Sequence, residues 1–370
     1  MKYFLIAGEA SGDMHAARLM EALAARDPQA VFYGMGGDRM KQAGLRLVQD
    51  YREMAFMGVM AVLANLGKVR RNFHIARESL WAEQPDALIL IDYPTFNLRI
   101  AAWCRRHLPK TKIYYYIPPK VWAWKTWRIH RLARLADRIF CILPFEPAFY
   151  ARYGYKAEYV GNPTVEEISN ATMPQRHDAT ATSTPLIALL PGSRRSEISH
   201  CLPRMLQAAL RCKPCHITVC AAPGIDEAFY RRYMGPDRAE CRLVFNQTYD
   251  TLREAAVAVV NSGTATLEAT LIGCPQVAVY HIAAPAWAVR LLRPLLFSIP
   301  HFTLANLIAG KEVIAELLAE RFTTDNAEAE LRRLLSDENA RRQMLRDYQA
   351  IRTILGTASA AQTAAQAILP

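Results

Sequence analysis

Lys2-Tyr3-Phe4-Leu5-Ile6-Ala7 runs directly into Gly8-Glu9-Ala10-Ser11-Gly12-Asp13 and then into the helix-patterned stretch Met14–Ala25. A short aliphatic and aromatic run, a glycine-bearing turn and a helical period together open a βαβ unit. The same rhythm recurs along the chain. Val31–Gly34, Ala87–Ile91, Lys112–Ile117 and Arg138–Ile142 are further strand candidates in the first half. Leu186–Leu190, Ile217–Ala221, Cys241–Val244, Ala256–Asn261 and Gln276–Tyr280 form a second series. Such alternation predicts an α/β protein with two doubly wound parallel sheets, and two domains imply a cleft. Between the series, Ser169–Pro185 is rich in Thr, Ser, Ala and Asn with two prolines, the composition of an exposed linker. The expected domains are therefore 1–168 and 169–339. The tail is helical in pattern, and the apolar face of Ala358–Ile368 needs a surface to dock on, so the segment from about 340 to 370 is a candidate to pack back on the first domain.

Composition narrows the function classes. Of 370 residues, 52% are apolar and 21% charged, which fits globular usage and excludes disorder. Lys and Arg outnumber Asp and Glu by 45 to 34, a formal +11. Such a surface attracts phosphates, nucleic acid or an acidic lipid leaflet without choosing among them. The N-terminal apolar run is too short for a signal-peptide core, so a cytoplasmic location is expected. Arg290, Arg293, Pro285 and Pro294 break the most apolar later segment, Ile282–Pro300, which argues against a membrane span. Eight scattered cysteines suit buried thiols in a reducing compartment. Cys212-Lys-Pro-Cys215-His216 matches a haem-attachment pattern, but the buried strand expected just beyond it favours a structural reading over a haem or redox pair.

In open parallel sheets, ligands bind beyond the carboxyl ends of the strands, where helix N-termini present free N–H groups. Four loops stand there. Gly8, Ser11 and Gly12 sit in the first; its glycines allow close backbone approach to a ligand, or the loop is a tight turn capped by Ser11 or Asp13. Gly34-Met35-Gly36-Gly37 reads as a bare turn. Asp92, in Ile91-Asp92-Tyr93-Pro94-Thr95-Phe96-Asn97, is a carboxylate at a strand end, suited to act as a general base or as a helix cap. In Pro191-Gly192-Ser193-Arg194, the turn at Gly192 and Ser193 presents amides and Arg194 can fork onto phosphate oxygens, or the run is a capped helix start with solvated arginines. In Ser262-Gly263-Thr264, free amides and two hydroxyls suit a diphosphate, and Glu268, a turn further on, can accept both hydroxyls of a ribose. The alternative there is a helix capped by Ser262 or Thr264 with Glu268 solvated. Two phosphate-type loops in one domain point to a nucleotide diphosphate.

Two surface features bear on partners. Phe56–Leu66, carrying Met60, Val62, Leu63 and Leu66, is followed by Lys68, Arg70 and Arg71. Its pattern suits a core helix with a basic end, or an element that dips into an anionic leaflet. Val121-Trp122-Ala123-Trp124 leads into Arg128, Arg131, Arg134 and Arg138, which could bind single-stranded nucleic acid or lipid head groups, or simply pack. The histidines and carboxylates form no metal-ligand cluster, and there is no Asp-x-Asp pair.

Taken together, the motifs resemble those of the lipid-A-disaccharide synthase family. Ala7–Asp13, Met57-Gly58, Ile91–Asn97, Val121–Trp124, Leu143-Pro144-Phe145-Glu146, Leu190–Arg194, Ser262–Glu268 and Leu304-Ala305-Asn306-Leu307-Ile308-Ala309-Gly310 match its pattern in order over nearly the whole chain. The resemblance implies a GT-B type inverting glycosyltransferase without cofactor or metal. It would join UDP-2,3-diacylglucosamine to 2,3-diacylglucosamine 1-phosphate, forming the β-1,6-linked lipid A disaccharide and releasing UDP, as a peripheral enzyme on the inner face of the cytoplasmic membrane. It assigns Asp92 as the base on the acceptor hydroxyl and Glu9 a place in the catalytic cleft. It puts Ser193, Arg194, Ser262, Gly263, Thr264, Glu268 and Asn306 around UDP. Met60, Val62, Leu63 and Leu66 would meet the membrane, with Lys68, Arg70 and Arg71 facing lipid phosphates. The oligomeric state stays open, a homodimer included. This chain departs from the family pattern at Thr95, where Asp is common, at Asn162, where His is common, and at Lys120, where Ser is frequent. The rival readings are another GT-B enzyme on a UDP-sugar, such as a soluble epimerase or a peptidoglycan glycosyltransferase, and, from a different class, a basic nucleic-acid-binding protein. The last leaves Asp92, Arg194 and Glu268 unexplained.

Overall fold

The computed structural model describes residues 1–54, 66–123, 126–170, 184–235, 240–281 and 300–369. Its contacts divide the chain into two compact units, Met1–Glu166 with Thr357–Pro370, and Glu167–Gly356.

The first unit carries strands β1 (Lys2–Ala7), β2 (Val31–Gly36), β3 (Arg46–Asp50), β4 (Ala87–Ile91), β5 (Lys112–Tyr116), β6 (Arg138–Cys141) and β7 (Glu158–Tyr159). All pair in parallel, in the order β3-β2-β1-β4-β5-β6-β7. Its helices are α1 (Ala10–Arg26), α2 (Asp38–Gln42), α3 (Leu66–Glu83), α4 (Pro94–His107), α5 (Arg128–Leu135) and α6 (Glu146–Ala151), and α7 (Pro163–Asn170) leads into the second unit. Helices cover both faces, so a strand such as Ala-Leu-Ile-Leu-Ile of β4 is apolar throughout and wholly buried. Tyr3, Leu5 and Ala7 of β1 pack towards α1, while Phe4 and Ile6 share a core with residues of α3, α4 and α5.

The second unit repeats the plan with β8 (Leu186–Leu190), β9 (His216–Ala221), β10 (Arg242–Phe245), β11 (Val257–Asn261), β12 (Gln276–Tyr280) and β13 (Glu316–Leu318), in the order β10-β9-β8-β11-β12-β13. Its helices are α8 (Arg195–Leu210), α9 (Glu227–Met234), α10 (Thr248–Glu254), α11 (Thr264–Ile272), α12 (Leu304–Ala309), α13 (Thr324–Ser336) and α14 (Glu338–Leu355). Of the tail, only the last helix, α15 (Ala360–Ile368), joins the first unit; α14 packs on α11, α12 and α13 of the second. Ala360, Ala364, Ala365 and Ile368 bury their face in the core beside α1, and Arg26 Nη2 and Arg138 donate to the carbonyls of Leu369 and Ala367.

In each sheet the strand order reverses once, between β1 and β4 and between β8 and β11. The loops that leave these two pairs diverge, and the crevice so formed is where doubly wound sheets take ligands. Among the described residues no helix is long and apolar enough to cross a membrane. Met60, Val62 and Leu63 lie outside the described residues; Leu66 opens α3, and Lys68, Arg70 and Arg71 follow on its exposed side.

Candidate functional site

At the first switch point, β4 ends in two consecutive left-handed residues, Asp92 (φ 42°) and Tyr93 (φ 43°). Residues with a Cβ take this conformation at a cost of about 1–3 kcal/mol each, and keep it only where the surroundings over-determine it. Here they do. Asn97 Nδ2 donates to the carbonyls of Ile91 (3.2 Å) and Asp92 (2.8 Å), and the Tyr115 hydroxyl donates to the same Asp92 carbonyl at 2.6 Å. The Asp92 amide donates to Ile117 O (3.2 Å), and the Tyr93 hydroxyl to Met54 O (2.7 Å). The side chain thus stands on an immobilised backbone. Asp92 reaches solvent, yet enough protein surrounds its carboxyl that burial, with the charge of Glu9 second, pushes it up to about 6 against the pull of Lys120.

The loop after β1 differs from the expectation that its glycines admit a ligand. A Cβ on Gly8 would clash with Cγ, Cδ1 and Cδ2 of Tyr93, and one on Gly12 would touch Ala7 and Ile91, so both serve close packing of α1 and Tyr93 on the strands. Ser11 is exposed and caps nothing, since α1 starts from Glu9 without a side-chain cap. Asp13 does not cap its own helix either. Its buried carboxylate accepts from the amides of Gly37 (2.6 Å), Arg39 (3.1 Å) and Met40 (3.2 Å), capping the neighbouring helix α2. The turn at Gly36-Gly37 is therefore a cradle for Asp13.

At the second switch point, the loops after β8 and β11 come together. A Cβ on Gly192 (φ 115°) would lie 2.7 Å from Asn261 Nδ2 and 2.6 Å from Glu197 Oε2, so only glycine fits. Glu197 is a functional candidate that sequence reading missed, although a glutamate three residues past the helix start is a legible capping signal. Its Oε2 accepts from the amides of Ser193 (3.0 Å) and Arg194 (3.2 Å), and its Oε1 pairs with Arg194 Nη1 at 2.7 Å. A side-chain carboxylate thus occupies the amides that the sequence assigned to a phosphate. The Arg194 side chain is 61% exposed, where such pairs contribute at most ~1 kcal/mol, so the guanidinium exchanges partners cheaply.

Ser262 donates its amide to Val279 O at 2.8 Å, which fixes the loop to the end of β12. α11 then begins after Gly263 with no side chain capping it, so the alternative of a cap from Ser262 or Thr264 does not form. Gly263 and Thr264 are exposed at the positive end of the helix. Glu268, one turn in, is half-buried; burial, with Glu167 second, pushes its carboxyl up to about 7. Asn306 is a correction. It is fully buried: its amide donates to Ile314 O (2.8 Å) and Glu316 Oε1 (2.9 Å) and accepts from Val313 and Ile314 N–H. No bonding position is left for a nucleotide, so Asn306 shapes the loop before β13.

The remaining motifs are mostly structural. Trp122 is buried, donating from Nε1 to Glu146 at 3.0 Å, and Glu146 also accepts from the Leu143 amide; burial raises this carboxyl to about 7. Trp122 is thus not a stacking platform for bases, and Trp124 lies outside the described residues. Arg138 pairs with Glu158. Asn162 is buried, donating to Ile142 O and accepting from the Thr164 amide, a cap in place of an imidazole. Cys212 and Cys215 are free thiols turned to backbone carbonyls, with burial raising both. Among the described residues no three His, Cys, Asp or Glu gather as metal ligands.

Comparison with known proteins adds the family. The sequence model described as lipid-A-disaccharide synthetase matches residues 3–369. The chain is 37% identical to the lipid-A-disaccharide synthase of Myxococcus xanthus, over all of this chain and 97% of that one. It is 35% identical to that of Syntrophus aciditrophicus, over 98% and 95%. Among solved structures, the UDP-GlcNAc 2-epimerase from Neisseria meningitidis bound to UDP-GlcNAc superposes with a TM-score of 0.67 at 10% identity, covering 100% of both chains. A calicheamicin glycosyltransferase gives 0.60 at 14% identity, over 99% of this chain and 96% of that one. The structural likeness bears out the expected pair of parallel-sheet α/β domains of GT-B type, and on the full-length sequence matches the chain belongs to the lipid-A-disaccharide synthases, glycosyltransferases that form the lipid A disaccharide.

Proposed function

We propose that the first unit supplies the base and the second holds the leaving nucleotide. The donor is UDP-2,3-diacylglucosamine and the acceptor 2,3-diacylglucosamine 1-phosphate. Asp92 takes the proton from the acceptor's 6-hydroxyl as that oxygen attacks the anomeric carbon; the bond to the diphosphate breaks, and the new linkage is β. The observation that carries this reading is a carboxylate on a locked, left-handed strand end, held near 6. Such a group is a stronger base than an ordinary aspartate and still ionised at neutral pH. Glu9 tunes it by charge. With Thr95 in place of a second carboxylate, Asp92 is the sole proton acceptor on this loop.

As the bond breaks, negative charge builds on UDP. The amides at the start of α11, the Ser193 and Arg194 amides and the Arg194 guanidinium meet it, with Glu197 giving up its place to the phosphate. Ionised Glu268 accepts the ribose hydroxyls. The acyl chains of both substrates require a membrane surface. α3, α4 and α5, which pack side by side, carry ten Lys and Arg against two Glu, a face that suits an anionic cytoplasmic leaflet. Lys68, Arg70 and Arg71 belong to it, and Met60, Val62, Leu63 and Leu66 would insert beside them. The test is UDP release from the diacylated donor. Release that depends on the monophosphorylated acceptor supports the reading; acceptor-independent release would mark hydrolysis of the donor, and conversion of the donor to another UDP-sugar without release would mark an epimerase.

A further inference from the structure

One cluster beside the second switch point is unused by this mechanism. One turn beyond Glu197 on α8, the His200 ring stacks on that of His281, with centroids 4.2 Å apart and planes at 9°. His281 directly follows β12, whose Val279 carbonyl receives the Ser262 amide, and Cys201 Sγ, next to His200, donates to Asn261 Oδ1 at 3.6 Å. The pair therefore stands at the carboxyl edge of the sheet, beside the two loops that end β8 and β11.

Hydrogen bonding fixes one ring. His200 Nδ1 lies 2.6 Å from Ser196 O. A carbonyl only accepts, so Nδ1 carries the hydrogen, which leaves Nε2 of this exposed residue as the nitrogen that gains a proton. Neutral, Nε2 presents a lone pair that repels an anion; protonated, it presents a second N–H. Two charged rings stacked this closely oppose one another, so positive charge on one disfavours positive charge on the other. The groups facing it share that bias. Arg204, a turn further along α8, adds positive charge, and burial together with His200 and Arg204 holds His281 below the usual imidazole range. The nearest carboxylate on the helix, Glu197, is engaged by Arg194 and the loop amides.

We infer that the His200–His281 stack is a further phosphate contact of the nucleotide site, taking up one proton when a diphosphate arrives and donating an N–H to it. This rests on the donor-site reading above. The stack then tightens UDP binding as pH falls from 8 to 6, while Glu268, which must be ionised to hold the ribose, acts in the opposite sense. Comparison with a variant that keeps Glu268 isolates the histidines.

The experiment is calorimetric titration of UDP and of uridine into the full-length protein. Wild type is compared with His200→Gln/His281→Gln at pH 6, 7 and 8, each in two buffers of different ionisation heat. Thermal melts establish that both proteins are folded. UDP binding to wild type should take up more protons than binding to the variant, and the advantage of wild type should grow to roughly tenfold at pH 6, the weight of one charge-assisted hydrogen bond. Uridine, with no phosphate, should bind both alike. Equal proton counts and parallel pH profiles for UDP would overturn the inference. If Arg194→Ala weakens UDP while the histidine variant matches wild type, the donor site stands and only the histidine role falls; if UDP fails to bind wild type, both fall.

Discussion

Asp92 stands on a backbone that its neighbours hold in place, and that separates a base from an ordinary cap. Asp92→Asn should lower turnover by ~10²–10⁴, the usual weight of general base catalysis, while leaving UDP affinity within about twofold. The carboxyl must be ionised to act, so kcat/KM should fall as pH drops through about 6. Removing the Glu9 charge favours ionisation, so Glu9→Gln should move that limb to lower pH, whereas an unmoved limb would detach Glu9 from the site. At this scale, the sequence shows a carboxylate after a strand but not its support. Asn97 and Tyr115 act on Asp92 only because β4 and β5 are neighbours, a long-range fact with no local signature. Asn306 errs the other way. It sits in a recognisable motif, but the groups that saturate it, on Val313, Ile314 and Glu316, lie seven to ten residues further along the chain.

Among the elements, helix starts decide what each loop can bind. α11 begins uncapped and α8 begins capped by Glu197, so of the two loops at this switch point the one after β11 offers its amides openly. Both glycine runs read as turns, yet Gly12 falls inside α1 and Gly34 and Gly36 inside β2, which leaves Gly8 and Gly37 in the loops. Their purposes were not legible, since Gly8 answers to Tyr93 and Gly37 to Asp13, partners far along the chain. Asp13→Ala should strand three amides and destabilise the first unit by about 1–3 kcal/mol, read as a lower denaturant midpoint without loss of UDP affinity. Gly8→Ala should cost a similar ~1–3 kcal/mol through overpacking on Tyr93 and should lower activity too, because Tyr93 adjoins the base. Full activity in Gly8→Ala would show that the ring is free to move.

For the whole molecule, two doubly wound sheets could be read from alternation alone. The strands that escaped notice, β3, β7 and β13, include both edges of the first sheet and one of the second; they are short, or only partly buried, and lack a continuous apolar run. The return of α15 to the first unit follows from its alanine face. Charge is also organised at this scale, with ten basic residues on the α3–α5 layer. The protein should sediment with anionic vesicles at low salt, stay free of neutral ones, and be released as the screening length shortens towards ~3 Å near 1 M salt. Equal binding to neutral vesicles would assign attachment to apolar insertion alone. Division of labour between the two units is tested most directly by single-turnover UDP release from the diacylated donor and its acceptor, run beside UDP binding, for Asp92→Asn and Arg194→Ala. Asp92→Asn should bind UDP normally and release almost none from the donor, and Arg194→Ala should bind UDP at least about tenfold more weakly; wild-type release by Asp92→Asn, or undiminished UDP affinity in Arg194→Ala, would contradict it.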